Sequence, residues 1–263
     1  MSRSLRIVIE VFTAGSFAIS ALLTALRTLT DWAPLRSSPL SFERTLAGRM
    51  SLSGGPGELS LLGLVAQPGS AIMWLLLAAV LVAAVLHMAA RGRARFAPPL
   101  PLAISAGLAL AALWPWVIGP VPLVGLALAA AACAALALGI AQLTEAPVTT
   151  EAERRADGIG GTGVWPLAFV AGWVVMSAAN ALGLVLFDFG LGLERSILLG
   201  LLVAALAAVW VQLRLQPLVT FSVAAIWAMI GVAAVTAGTS ITIATACVLG
   251  ISALAVVVVR MTT

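Results

Sequence analysis

The sequence has no lysine and no tyrosine, a single histidine and two cysteines, and only 9% of its residues are charged. These shortages thin the catalytic inventory. A nucleophile with a neighbouring base, a pair of carboxylates, or a set of metal ligands would each need residues that this chain scarcely holds, so no catalytic or metal-binding residue is assigned and the chain reads as non-enzymatic. His87 stands at the end of an apolar run close to Arg91, Arg93 and Arg95, and reads as an interfacial residue rather than a haem or metal ligand. Cys133 and Cys247 fall inside apolar runs and read as small packing residues, not as a disulfide. No carboxylate pair occupies the middle of an apolar run, which removes the usual machinery of a proton-coupled transporter. Glu10, near the start of the first run, is the most notable acid, either buried or reaching out to the interface.

What the chain does contain is hydrocarbon. Of its 263 residues, 62% are hydrophobic, and the mean hydropathy is +1.14, a balance that a soluble domain could not cover with polar surface. Apolar runs long enough to cross a bilayer as helices lie near residues 8–29, 69–90, 99–118, 121–143, 164–187, 196–215, 217–238 and 240–260. The expected fold class is all-α, a polytopic transmembrane helix bundle of about eight helices.

All fourteen basic residues are arginine, and the pI is about 10.9. In a soluble chain that would raise nucleic acid as a partner; here the arginines flank apolar spans, so the partner is the lipid bilayer and no nucleic acid is expected. With eight spans, Arg3, Arg6, Arg91, Arg93, Arg95, Arg154, Arg155, Arg214 and Arg260 share one side, and Arg27, Arg36, Arg44, Arg49 and Arg195 the other. That bias puts both termini in the cytoplasm under the positive-inside rule. Lysine-free, alanine-rich usage suggests a GC-rich bacterial genome and so a bacterial inner membrane. The first run follows Arg3 and Arg6 like a secretory signal, but Glu10 interrupts it and Arg27 follows without a convincing cleavage site, so it is read as a retained helix.

Two connectors are long. The exterior segment 30–68 carries Trp32, Pro34, Pro39 and the stretch Ser53-Gly54-Gly55-Pro56-Gly57, and serves either as a passive link or as a lid over a membrane cavity. The segment 144–162 leads into the glycines of GIGGTG, which lack the preceding strand of a dinucleotide fingerprint. Asp188-Phe189-Gly190 resembles a kinase triplet in a chain with no other kinase part. Small-residue ridges, Gly125, Ala129, Cys133 and Ala137 in the fourth span and Gly200, Ala204 and Ala208 in the sixth, allow close approach of another helix.

The strongest functional pattern is WPLAFVAGWVVMSAAN. Pro166, Phe169, Trp173, Ser177 and Asn180 recur at helical spacing and share one face. In hydrocarbon the Asn180 amide has no solvent partner, so this face is expected to look onto protein or onto a ligand. Of the eight tryptophans, Trp165 and Trp210 fit an interfacial belt. Trp173 and Trp227 fall nearer the middle of their spans, suited either to helix packing or to the wall of a cavity for a planar apolar ligand.

Pro166, Gly172-Trp173, Ser177-Ala178 and Asn180 resemble the fifth-helix signature of the TspO/MBR family, the tryptophan-rich sensory or translocator proteins. Trp32-Ala33-Pro34 is similar to that family's first-loop Trp-Pro element, Pro68 to Trp74 to its entry into the second helix, and Trp114 to its third-helix tryptophan. The segment Pro217 to Gly231 is similar to one in longer relatives with added C-terminal helices. Where the family carries asparagine three residues before the third-helix tryptophan this chain has Ala111, and the second-helix tyrosine is missing. The resemblance implies a five-helix core over 1–190, including the exterior loop, followed by three additional helices over 191–263. It further implies a non-enzymatic receptor or carrier that binds a hydrophobic planar small molecule, a tetrapyrrole (porphyrin or haem-like) or a sterol. The implied ligand-binding residues are Trp32, Trp74, Trp114, Trp173, Ser177 and Asn180; no cofactor is required, and a homodimer is the implied assembly. The residues alone allow almost as well a structural or accessory subunit of a larger membrane complex, with the same face serving only helix contacts.

Overall fold

The computed structural model describes residues 3–30, 70–93, 100–145, 164–215, 218–238 and 240–262. The segment with Trp32 and the connector with GIGGTG lie outside the described residues. Within them the chain is eight helices and no strand: α1 (Arg3–Thr30), α2 (Ala71–Arg93), α3 (Leu102–Val117), α4 (Pro122–Glu145), α5 (Val164–Asp188), α6 (Leu193–Leu215), α7 (Val219–Thr236) and α8 (Ile241–Thr262). Seven are long and apolar enough to cross a membrane, and α3 is shorter. The all-helical membrane bundle expected from the apolar runs is thus what the chain forms. Helices suit this composition because each satisfies its own backbone polar groups, which hydrocarbon cannot do.

Proline and glycine set the helix ends. Pro101 occupies the N-cap of α3, and Pro115 falls in the last turn, where the Ile118 N–H closes the helix on the Trp114 carbonyl at 3.0 Å. Pro122 then opens α4, a first-turn position whose N–H would have had no helical partner. At the end of α5, Gly190 adopts φ +91°. The Leu191 N–H bonds to the Leu186 carbonyl at 3.2 Å and the Gly190 N–H to the Phe187 carbonyl at 2.9 Å, the paired pattern of a glycine-terminated helix. Asp188-Phe189-Gly190 is therefore a helix stop. Because the reversal is so tight, α6 begins at Leu193, three residues before the expected start at 196.

Cross-helix contacts fix an up-and-down order. Glu10 meets Arg91 and Leu100, joining the start of α1 to the end of α2 and the entry to α3. Thr220 donates to the Trp165 carbonyl, joining the starts of α7 and α5, and Gln212 reaches Met261, joining the ends of α6 and α8. At the opposite end Met73 packs on Gly231 and Ser240 bonds Glu194.

Neighbouring helices pack as a ring, α1 to α2, α2 to α5, α5 to α4, α4 to α3 and α3 back to α1. The three last helices form a second group, in which α6 and α7 both pack on α5 and α8 packs on α6 and α7. Helix α5 belongs to both groups. Of its most apolar stretch 83% is buried, against 50% at most for any other long span.

Close approach is bought with glycine. A Cβ at Gly172 would collide with the backbone carbonyl of Phe221 on α7, and one at Gly200 would lie 2.6 Å from the Ala179 carbonyl of α5. The α6 ridge of Gly200, Ala204 and Ala208 is thus the seam against α5, with both alanines buried.

Candidate ligand-binding face of helix α5

All five residues of the stripe, Pro166, Phe169, Trp173, Ser177 and Asn180, are buried. They do not face a single neighbour. Phe169 makes an edge-to-face contact with Trp227 of α7, with ring centroids 6.4 Å apart. One turn on, Trp173 makes the same kind of contact across the ring with Phe17 of α1, at 5.8 Å. The Ser177 hydroxyl donates to the Trp173 carbonyl one turn back, at 2.9 Å, so its proton is used within the helix while its lone pairs stay available.

Two polar groups on this helix have no such outlet. Neither the Trp173 indole N–H nor the Asn180 amide nitrogen has a hydrogen-bond partner among the described residues, and both are buried. The indole N–H of Trp114, in the last turn of α3 and fully buried, is also without a partner. A buried donor left unpaired costs about 1–3 kcal/mol.

The remaining sequence-derived site residues are more scattered. Trp74 lies half-buried in the first turn of α2. By the up-and-down order, Trp74, Trp114 and Asn180 all lie toward the end of the bundle opposite Glu10. No ring contact joins Trp74, Trp114 and Trp173 among the described residues. Trp32 lies outside them. Among the described residues no group of three His, Cys, Asp or Glu side chains could hold a metal ion.

Several polar contacts were not evident from the sequence. Glu10 is buried and paired with Arg91, whose Nη2 is 2.7 Å from Oε2, while Oε1 accepts the Leu100 backbone N–H at 2.9 Å. His87, one turn before Arg91, is buried as well. Ser20 of α1 donates to the Ala112 carbonyl at 2.6 Å and accepts from the Trp116 indole at 2.7 Å, fastening α1 to α3. Ser222 donates to Gln212 Oε1 at 2.6 Å in the seam between α7 and α6. Each joins two different helices, and the available signal was only a polar side chain inside an apolar run.

On the far side of α5 a separate apolar groove of about 300 Å³ opens between α4, α5 and α6. Ala134, Ala137, Ala178 and Ala207 are among its lining residues, and Trp210 is the tryptophan on its wall. None of the described sequence-derived site residues lines it.

Comparison with family models, with curated proteins and with solved structures yields no match to this chain.

Proposed function

We propose that this membrane helix bundle is a non-enzymatic receptor or carrier for a hydrophobic planar ligand, a tetrapyrrole or sterol-like molecule, and a long-form relative of the TspO/MBR proteins. The observation that carries the reading is the set of buried N–H donors on Trp173, Asn180 and Trp114 that have no partner among the described residues. All three are donors, so the molecule that would complete them must bring acceptors, as a carbonyl, carboxylate or hydroxyl oxygen does. The tryptophans would supply flat apolar contact area, and Asn180 and Ser177 would orient the ligand's polar edge. A porphyrin or haem-like molecule is bound in this reading as cargo or signal, with no cofactor required. The membrane is a bacterial inner membrane with both termini cytoplasmic, and the assembly a homodimer.

Protoporphyrin titration with tryptophan fluorescence as the readout tests it. Saturable quenching in the native protein, weakened by Trp173→Phe and by Asn180→Leu, is expected; absence of saturable quenching would sink the reading.

A second reading, a structural or accessory subunit of a larger membrane complex, is favoured by one contact. Phe17 packs edge-on against Trp173, so the protein's own side chain takes part of the space a ligand would use. Copurification in a mild detergent with a stoichiometric partner, together with no porphyrin response, would select it.

A further inference from the structure

We propose that the groove between α4, α5 and α6 binds an anionic phospholipid of the surrounding bilayer, with one acyl chain along the groove and the phosphate at Arg214. The lining is almost wholly hydrocarbon, and its alanines leave a smooth trough where larger side chains would fill it. Trp210 forms the end of the trough nearest the close of α6, and it is 57% exposed, so the groove opens outward onto lipid rather than inward onto the core. Leu138 and Leu206, exposed on the α4 and α6 surfaces, flank it with ordinary lipid-facing side chains.

The charge at this end decides the occupant. Arg214 stands one turn beyond Trp210, exposed, with its guanidinium carbon 5.5 Å from the centre of the indole ring. It makes no ion pair among the described residues. An apolar helix from a second copy would have to cover this cation without neutralising it, at a desolvation cost. A phospholipid has both required parts, a chain for the trough and a phosphate at headgroup depth for the arginine. Arginine suits the second task because its planar fork meets phosphate oxygens with two parallel N–H donors. The cation–π contact with Trp210 restrains the guanidinium beside the groove.

The test uses the full chain in a mild non-ionic detergent, titrated with dioleoyl phosphatidylglycerol or dioleoyl phosphatidylcholine, with retained lipid counted by native mass spectrometry. The native protein should retain phosphatidylglycerol about fivefold better, the preference that one arginine near a membrane surface provides. Arg214→Gln should bring the two lipids level, Arg214→Lys should keep most of the preference, and Ala207→Leu, which fills the trough, should lower retention of both. Equal retention by the native protein, or a preference that survives Arg214→Gln, overturns the proposal. So does displacement of phosphatidylglycerol by glycerol 3-phosphate at matching concentration, because the trough would then contribute nothing. A dimer that Ala207→Leu dissociates while lipid retention stays unchanged would assign the groove to a second copy instead.

Discussion

Glu10 and Arg91, 81 positions apart in the chain, form a buried ion pair in which Arg91 Nε also donates to Glu10 Oε2 at 2.8 Å. The carboxylate's other oxygen takes the Leu100 N–H, so one side chain ties α1 to α2 and to the entry of α3. Both side chains are nearly inaccessible, at 3% and 8% exposure. Losing one partner therefore removes the ion pair from a site with almost no water, a change that costs about 3–5 kcal/mol in buried pairs. Glu10→Ala should lower the thermal unfolding temperature sharply in detergent. Glu10→Leu combined with Arg91→Leu should recover most of the loss, short of about 1 kcal/mol for the orphaned Leu100 N–H. A double variant as unstable as Glu10→Ala would show that the pair acts through something other than charge.

The glycine seams on α5 give a second expectation. Gly172 faces the Phe221 carbonyl, which is backbone and cannot swing aside, so even one methyl group must push α7 away from α5. Gly172→Ala should destabilise by about 1–3 kcal/mol, the range for overpacking a tight interior. Gly200→Ala should behave likewise against the Ala179 carbonyl. Gly192, with no described residue near its missing side chain, is the control, and Gly192→Ala should leave the melting temperature within a degree or two. Equal effects at all three positions would contradict the packing described.

The buried Gln212 and Ser222 pair separates a hydrogen bond from its desolvation. Ser222→Ala leaves the Gln212 carbonyl oxygen without its donor at 2.6 Å. In membrane bundles such bonds average about 0.6 kcal/mol, so a loss of that order is expected in chemical unfolding. Adding Gln212→Leu removes the acceptor too and should return stability near the starting value. A double variant worse than either single one would mean that Gln212 supports the fold through its approach to Met261 rather than through Ser222.

The helices were legible because each is a predominantly apolar run bounded by proline, glycine or charge. The first was placed to start near residue 8, and it starts at Arg3, since a charged first turn can remain helical outside hydrocarbon. What periodicity could not reveal was which helix lies in the centre. On α5 a single stripe looked privileged, yet Leu167, Val170, Val174 and Ala181 on its other faces are buried too, because neighbours surround it. A helix apolar all round carries no moment from which to read its environment. The pairing of Glu10 with Arg91 was hidden for a related reason. Arg91 sits at the end of a span, where arginine usually marks the interface, and only the packing of α1 on α2 turns it inward. On the α4 ridge the expected close approach divides, with Ala129 fully buried while Cys133 and Ala137 line the open groove.

The unpartnered donors on α5 provide the expectation that separates recognition from packing. If Trp173 and Asn180 serve only helix contacts, their idle N–H groups are a liability, and Trp173→Phe or Asn180→Leu should hold or raise the stability of purified protein. Removing an unsatisfied donor while keeping the apolar volume relieves about 1–3 kcal/mol at most. If a ligand completes them, the same variants should still be no less stable when empty but should gain less on ligand addition. A ligand at a hundredfold excess over its dissociation constant stabilises by about 2.7 kcal/mol, readily visible as a shift in melting temperature. Phe17→Leu is the discriminating companion, because it removes the edge-on ring from Trp173 without touching a donor. Under recognition it enlarges the space beside Trp173 and should preserve the porphyrin-induced shift even as the empty protein loses about 1 kcal/mol of packing. Under packing alone it should cost stability with no shift in any variant, and that result would remove the α5 face from consideration as a binding surface.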